Sequence, residues 1–383
     1  MAVGLPLKTT YADGDVYAAS DVNDTNGTIN ANVNPYTAGK NKIYNAGMAV
    51  AQRGTSITGI TSNTYTLDQW CLTPETMGTY TVTQDTTVPD AAGTGYSLKV
   101  ACTTADAAPA ANDRVRIIVR FEGDRVQDFC FGSADAKPIT LSFWVRSSKT
   151  GTYIIEMNGG SRLISQAYTI TTANTWQKVS ITIPGQTAAK IVTGVTSGFE
   201  LYFWLGAGTT FTSGTLNTSW TASPAASTRA VGQVNFADSN TATFFLTAVQ
   251  LEIGSTATAF QTATGTIQGE LAACQRYYFR TGGSTSFETV VPFAWFPSTT
   301  QIRGQVAAPI TMRTIPSALD FSTLQGVSVS TGTTFTLSGG VLNEIGTQLF
   351  LITFTLSGAT VGQIGYVRTN NSTSGYLGFS AEL

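Results

Sequence analysis

The 383-residue chain contains no histidine. Without an imidazole, no Ser-His-Asp or Cys-His catalytic arrangement can be assembled. Charge is scarce as well: charged residues make up 11% of the chain, against roughly 25% in ordinary soluble proteins. The net charge is −2, and the few lysines and arginines are scattered rather than gathered into the basic stripe of a nucleic-acid binder. Long apolar runs are missing too. Although 42% of residues are hydrophobic, no stretch reaches the ~18 residues of a membrane-spanning helix, so no membrane insertion is expected. The opening MAVGLPLKTTYADG lacks a basic segment followed by an apolar one, so no secretory signal is expected either. Neither a phosphate-binding loop nor a dinucleotide fingerprint occurs; GTGYS (Gly93–Ser97) and GSTSF (Gly283–Phe287) read as turns.

Cysteine is equally spare. Cys71, Cys102, Cys130 and Cys274 form no CxxC pair and have no histidine to share a zinc ion with. By count they can pair, but a cytoplasmically assembled protein would keep them reduced. They read as small apolar core residues.

What is abundant is apolar surface mixed with Thr, Ser, Gly and Asn. β-Branched Thr packs well on a pleated surface, and the small polar residues serve tight turns. Apolar surface on so charge-poor a chain must be hidden, in one large core or at subunit interfaces. Self-association is the expectation. Four segments follow from the pattern. Residues 1–40 form a polar arm, in which Ser20 can cap a short helix bearing Val22, Ile29 and Val33 on one stripe; a disordered arm is the alternative. Residues 41–256 carry short β-rich runs, near 65–72, 79–84, 96–103, 115–121, 138–147, 152–157, 163–171, 176–183, 199–206 and 241–253. Residues 257–276 form a linker whose run 264–276 places Ile267, Leu271 and Cys274 on one helical stripe. Residues 277–383 are a second β region, with strands near 288–296, 302–311, 327–330, 333–337, 348–356, 362–368 and 375–380.

Regularly spaced strands without intervening helices predict an all-β fold, a jelly-roll β-sandwich followed by a short helix and a smaller C-terminal β-sandwich. In residues 139–147, Ile139, Leu141, Phe143 and Val145 share one face and Thr140, Ser142, Trp144 and Arg146 the other. Across residues 176–183, Trp176, Lys178, Ser180 and Thr182 oppose Gln177, Val179, Ile181 and Ile183. In residues 349–356, Phe350, Ile352, Phe354 and Leu356 line one face while Leu349 and Leu351 begin the other. A strand apolar on both faces lies between two layers, and in so small a domain a neighbouring subunit is a candidate for the second.

Several runs carry a resemblance. They are TYADGDVYAASDVNDTNGTINANV (Thr10–Val33), NKIYNAGMAVAQRGTSI (Asn41–Ile57) with YTLDQW (Tyr65–Trp70), and LSFWVRSSKTGTY with TWQKVSITIPG. The longest is FFLTAVQLEIGSTATAFQTATGTIQGELAACQRYYFR (Phe244–Arg280); PITMRTIPSA (Pro309–Ala318) and YLGFSAEL (Tyr376–Leu383) complete the set. Together they resemble bacteriophage tail-fibre and minor structural proteins with a carbohydrate-binding-module-like jelly roll. The resemblance implies a virion protein and a homotrimer. It implies a first segment, with Tyr11, Asp13, Val16, Val22, Ile29 and Val33, that docks onto tail, baseplate or adaptor proteins. It also implies a host surface glycan or outer-membrane receptor as partner. Relatives often have Pro then Phe-Glu where this chain has Ala259-Phe260-Gln261, which removes a carboxylate. Jelly rolls of this kind often hold a structural calcium, and Glu252 matches the usual end of the fold. No Asp-rich loop accompanies it, so neither a metal nor a cofactor is expected.

The residues favour binding over catalysis. A glycosidase needs two carboxylates flanking a sugar bond. The nearest candidates, Glu122, Asp124 and Asp128, share FEGDRVQDF with Arg125 and follow Arg120, which reads as a solvated, self-neutralised loop. No catalytic residue is assigned. Sugars are held by aromatic faces and neutral polar groups. Trp204, between Tyr202, Phe203 and Leu205, reads as core. Trp144 and Trp176 stand opposite the apolar faces of their strands, and Trp220 lies in the loop NTSWTASP; these three are the candidate sugar contacts, with packing as the alternative. Asn370 and Asn371 in TNNSTS offer amides at a distal tip. The expected protein is a receptor-binding fibre subunit. The alternatives are a head or collar decoration protein and a polysaccharide-depolymerising tailspike.

Overall fold

In an antiparallel sheet successive side chains point to opposite faces, so alternation along each strand decides which face can enter a core. The computed structural model describes residues 38–383; Tyr11, Asp13, Val16, Val22, Ile29 and Val33 lie outside them. The first thirteen strands are β1 (Ser56–Ile60), β2 (Thr64–Tyr65), β3 (Cys71–Glu75), β4 (Thr79–Asp85), β5 (Ser97–Thr104), β6 (Arg114–Glu122) and β7 (Ile139–Ser147), then β8 (Gly151–Gly159), β9 (Arg162–Ile170), β10 (Gln177–Ile183), β11 (Ser197–Ala207), β12 (Thr221–Ala222) and β13 (Thr243–Ile253). They make two antiparallel sheets, ordered β1-β4-β5-β13-β7-β10 and β12-β9-β8-β11-β6-β3-β2. Neighbours in space are mostly not neighbours in sequence, the crossover pattern of a jelly-roll sandwich. Val82, Val100, Leu141, Phe143 and Leu246 face Val119, Phe121, Ile155, Leu201 and Phe203 in one buried cluster. Phe143 meets Phe203 edge-on, with ring centroids 5.2 Å apart, where the sheets touch.

One expected strand is corrected. Residues 65–72 do not run straight: Gln69 takes φ 72° and the Trp70 amide donates to the Leu67 carbonyl at 2.9 Å. The tight turn separates β2 from β3 and buries Trp70 completely. Strand β1 had no apolar alternation to announce it. Cys71, Cys102 and Cys274 are buried, Cys130 is half-buried, and all four are unpaired.

The second ten strands are β14 (Tyr278–Gly282), β15 (Thr289–Ser298), β16 (Gln301–Ala307), β17 (Ala318–Ser322), β18 (Leu324–Ser328), β19 (Thr334–Thr336), β20 (Ser338–Ile345), β21 (Leu349–Thr355), β22 (Ile364–Thr369) and β23 (Tyr376–Ser380). A three-stranded sheet, β14-β23-β17, lies against a seven-stranded one, β19-β18-β22-β15-β16-β21-β20. The contact is a stack of phenylalanines: Phe379 lies 5.1 Å from Phe279 and 4.6 Å from Phe350, centroid to centroid. The inner face of β21 is buried as its alternation predicts, through Phe350, Ile352 and Phe354. Its outer face is only partly covered by this chain. Leu349 is 51% exposed, as are Ile364 and Val341 at 53% each. Register places Ile364, Trp295, Arg303, Thr353 and Val341 in one row across five strands of that face.

Between the sandwiches lies helix α1 (Ile267–Gln275), capped by the Thr266 hydroxyl accepting from the Gly269 amide. Its expected stripe is corrected. Ile267 and Leu271 are exposed, and the buried face is Glu270 with Cys274. Glu270 accepts from the Asn45 amide at 2.6 Å and from the Thr264 amide at 2.9 Å. The helix is moored by a carboxylate taking orphan backbone donors, not by an apolar stripe.

The junction of the sandwiches is polar and buried. The Arg53 guanidinium lies 3.6 Å from the Tyr278 ring centroid and pairs with Glu382 at 2.9 Å. Gln52 joins Asp68 to the Tyr278 carbonyl, and Tyr65 donates to the Leu383 carbonyl at 2.6 Å. Burial, aided by Asp68 and opposed by Arg53, pushes the Glu382 carboxyl from 4.5 up to about 7. The folded protein therefore holds this proton where the unfolded chain has lost it. Stability from this group falls as pH rises from about 4.5 to about 7 and is level above. Burial raises Asp68 as well, with the same sign. We expect the urea midpoint of wild type to fall across that window relative to Glu382→Gln; identical pH profiles for the two proteins would contradict this placement.

Candidate functional site

The outer face of the sheet β1-β4-β5-β13-β7-β10 is built by the alternation read from β7 and β10. Ile139, Leu141, Phe143 and Val145 are buried inward, and Val179 and Ile183 join them. Trp144 and Arg146 are half-buried on the outside, beside exposed Lys178 and Ser180. The register pairs Lys178 with Trp144 and Gln177 with Val145. Carried one residue further, it sets Trp176 opposite Arg146. The two tryptophans thus sit on one diagonal and the two cations on the other. Strand β13 adds Phe245, paired with Arg146 and with Lys99 of β5. The Phe245 ring takes the Arg146 guanidinium at 5.1 Å, the Lys99 ammonium at 5.3 Å and the edge of Trp176 at 6.0 Å. Positive groups over a ring face are held by its quadrupole.

A bulge in β13 shapes the rest of this face. Pairing with β7 skips between Thr247 and Gln250, and Ala248 takes φ 49°. The extra residue shifts the alternation, so Phe245, Thr247, Gln250 and Glu252 all point outward. The Gln250–Glu252 end is roofed. Glu252 accepts from the Thr258 amide and hydroxyl, each at 2.8 Å, and from Gln250, with Lys40 at 3.3 Å. Its oxygens are engaged by protein donors. Among the described residues no group of three or more cysteine, aspartate or glutamate side chains is arranged to hold a metal ion.

The other expected contacts lie elsewhere. Trp220 packs edge-on against Phe131 at 5.5 Å and donates its indole N–H to the Pro184 carbonyl at 2.7 Å. It is half-buried, packed against the end of the main core. Asn370 and Asn371 are exposed beyond β22, in the second sandwich and away from the tryptophan pair. Phe245, Lys99, Arg146 and Lys178 were not singled out from sequence. The pairs Trp144-x-Arg146 and Trp176-x-Lys178 were the available signal.

The outer face of the other large sheet is a closed charge network. Trp204 is buried, but outside the main core, with Tyr202, Ile154 and Phe211. Glu156 is fully buried and takes Arg229 in a two-pronged contact at 2.5 and 2.9 Å. Glu75 holds Arg114 and Arg116, and Glu200 holds Arg120 and Asn158. The alternating arginines of RVRIIVR (Arg114–Arg120) announce this face. The acidic loop after β6 is corrected too. Glu122 is buried and paired with Arg276 at 2.7 and 2.8 Å, while Asp128 pairs with Lys42 at 2.6 Å. Neutralisation comes from distant residues, not from within the loop.

No protein-family model matches the chain, and no curated protein matches it. Among solved structures, the enzymatically active domain of bacteriophage CBA120 tailspike protein 4 is similar at 15% identity and TM-score 0.30, over 57% of this chain. The chain covers only 22% of that tailspike's own length. A family 11 carbohydrate-binding module from a Clostridium thermocellum cellulase is similar at 10% identity and TM-score 0.26, covering 52% of this chain and 95% of the module. The module TmCBM61, solved with β-1,4-galactotriose, is similar at 9% identity and TM-score 0.24, covering 48% of this chain and 88% of the module. Likeness at this level carries no function from one chain to another.

The Glu156–Arg229 pair yields a direct test. Arg229→Met would strand a fully buried carboxylate, at a cost of about 3–5 kcal/mol in chemical denaturation. Adding Glu156→Gln should recover most of it; no recovery in the double variant would mean that Arg229 acts through packing alone.

Proposed function

We propose that the chain is a non-enzymatic structural subunit of a bacteriophage tail fibre that recognises a host cell-surface glycan. The observation that carries this reading is the outward pair Trp144 and Trp176, half-exposed on one sheet face beside polar and charged groups. An aromatic platform edged by hydrogen-bonding groups is the chemistry by which proteins hold pyranose rings. Exposed Asn370 and Asn371 are a second contact at the far sandwich. The fibre assignment rests on the resemblance in the quoted runs, with residues 1–40 docking onto tail, baseplate or adaptor proteins.

The subunit is a homotrimer in this reading. Phe293, Ile364, Leu349 and Val341, each about half-exposed on one face of the second large sheet, support an interface on that face. Obligate interfaces bury such apolar surface against copies of themselves. Many copies then give avidity to individually weak sites.

Two outcomes are expected. Particles carrying Trp144→Ala and Trp176→Ala together should adsorb to host cells about tenfold or more weakly, as loss of central aromatic contacts does, with assembly unchanged; normal adsorption would remove this face as the receptor site. Light scattering of the purified protein should give about three times the 40.3 kDa chain mass, falling to one chain mass in Leu349→Glu, Ile364→Glu. A stable wild-type monomer would end the trimer reading.

A further inference from the structure

We infer that the glycan this face takes is acidic, with a carboxylate or phosphate on the sugar meeting Arg146 and Lys178 while a ring stacks on a tryptophan. The inference rests on the glycan-binding reading of the same face and adds its charge class.

Several of the chain's other cations are held by carboxylates. Arg114 and Arg116 share Glu75, Arg120 has Glu200, Arg229 has Glu156 and Arg276 has Glu122. On the candidate face Lys99 has Asp85 at 3.3 Å. Arg146 and Lys178 have no such partner, a state they share with Arg125, Arg162 and Arg368 elsewhere in the described chain. Among the described residues, neither Arg146 nor Lys178 has a carboxylate within salt-bridge distance, and the Arg146 Nε is buried without any acceptor. The terminal nitrogens of half-buried Arg146 are not buried with it, so an anion arriving from solvent can reach them. Arg146 is also held from below, against the Phe245 ring, which fixes its position before any ligand arrives.

Cross-strand neighbours on one face are about 5 Å apart, and diagonal ones about 7–8 Å. Trp144 sits opposite Lys178 and Trp176 opposite Arg146, so each ring has a free cation beside it at cross-strand distance. A neutral sugar needs the rings and small polar groups but not two unpaired cations. A sugar bearing an anion uses both together. The acidic groups near this face, Asp85 and Glu252, are taken by Lys99 and Lys40, and they leave the centre of the face positive.

The test pairs each acidic polymer with a neutral twin of the same backbone. Immobilised polygalacturonate is compared with its fully methyl-esterified form, and polysialic acid with its carboxyl-reduced form, at low and high NaCl, using the full-length protein. Tighter binding to an acidic member, lost as NaCl rises, is the expected result. Arg146→Gln and Lys178→Gln should each weaken that binding about fivefold and narrow the gap between the acidic polymer and its neutral twin. Equal binding to acidic and neutral twins overturns the acidic assignment while the glycan reading stands. Binding to none of the four polymers, in a protein whose thermal unfolding is normal, overturns both.

Discussion

Every strand in this protein has two faces, and a sandwich core can hide only one of them. With so few charged side chains available, the outer face of each sheet needs its own solution, and the differences between those solutions make up most of what is particular to the molecule. The inner faces are uniform: aliphatic and aromatic side chains interdigitate, with Phe143 against Phe203 in one sandwich and the Phe279–Phe379–Phe350 stack in the other. The outer faces share no common plan.

On one large sheet the outer face is closed by ion pairing. Arginines alternate along β6, glutamates answer them from β3 and β11, Glu156 of β8 takes Arg229, and Trp204 with Phe211 fills the space under the segment that follows β11. On the opposing sheet, half of the outer face is roofed by the segment carrying Thr258, whose donors occupy Glu252. The other half is left with two tryptophans and two unpaired cations. In the second sandwich the outer face keeps half-exposed apolar side chains among polar ones such as Arg303 and Thr353. Covered, reactive and open surfaces thus arise from the same two-fold repeat, distinguished by what the intervening loops bring over each one.

Much of the strand plan was legible because period-two alternation is a local property. Strands β4 to β11 fall within two residues of their expected limits, and the inward set on β7 and β10 is the one read from sequence. Strands β1, β14, β17 and β20 were not legible, since edge and inter-sandwich strands need not show one clean apolar face. The tryptophan pair was visible as two residues on separate strands. That they share a face with Phe245 and Arg146 depends on β13 lying between β5 and β7, a pairing of segments about a hundred residues apart.

Taken alone, the chain determined its secondary-structure class, the inward face of the strands with clear alternation such as β7, β10 and β21, and the impossibility of histidine chemistry. These follow from composition and from short-range geometry. Tertiary structure alone decided that Glu122 is neutralised by Arg276, that α1 is moored through Glu270 rather than Ile267, that Trp220 packs against the rim of a core, and that Arg146 and Lys178 stay unpaired. Each of these is a question of which distant group arrives at a given side chain. Partners brought together by long-range strand pairing leave no periodic trace in the residues around them.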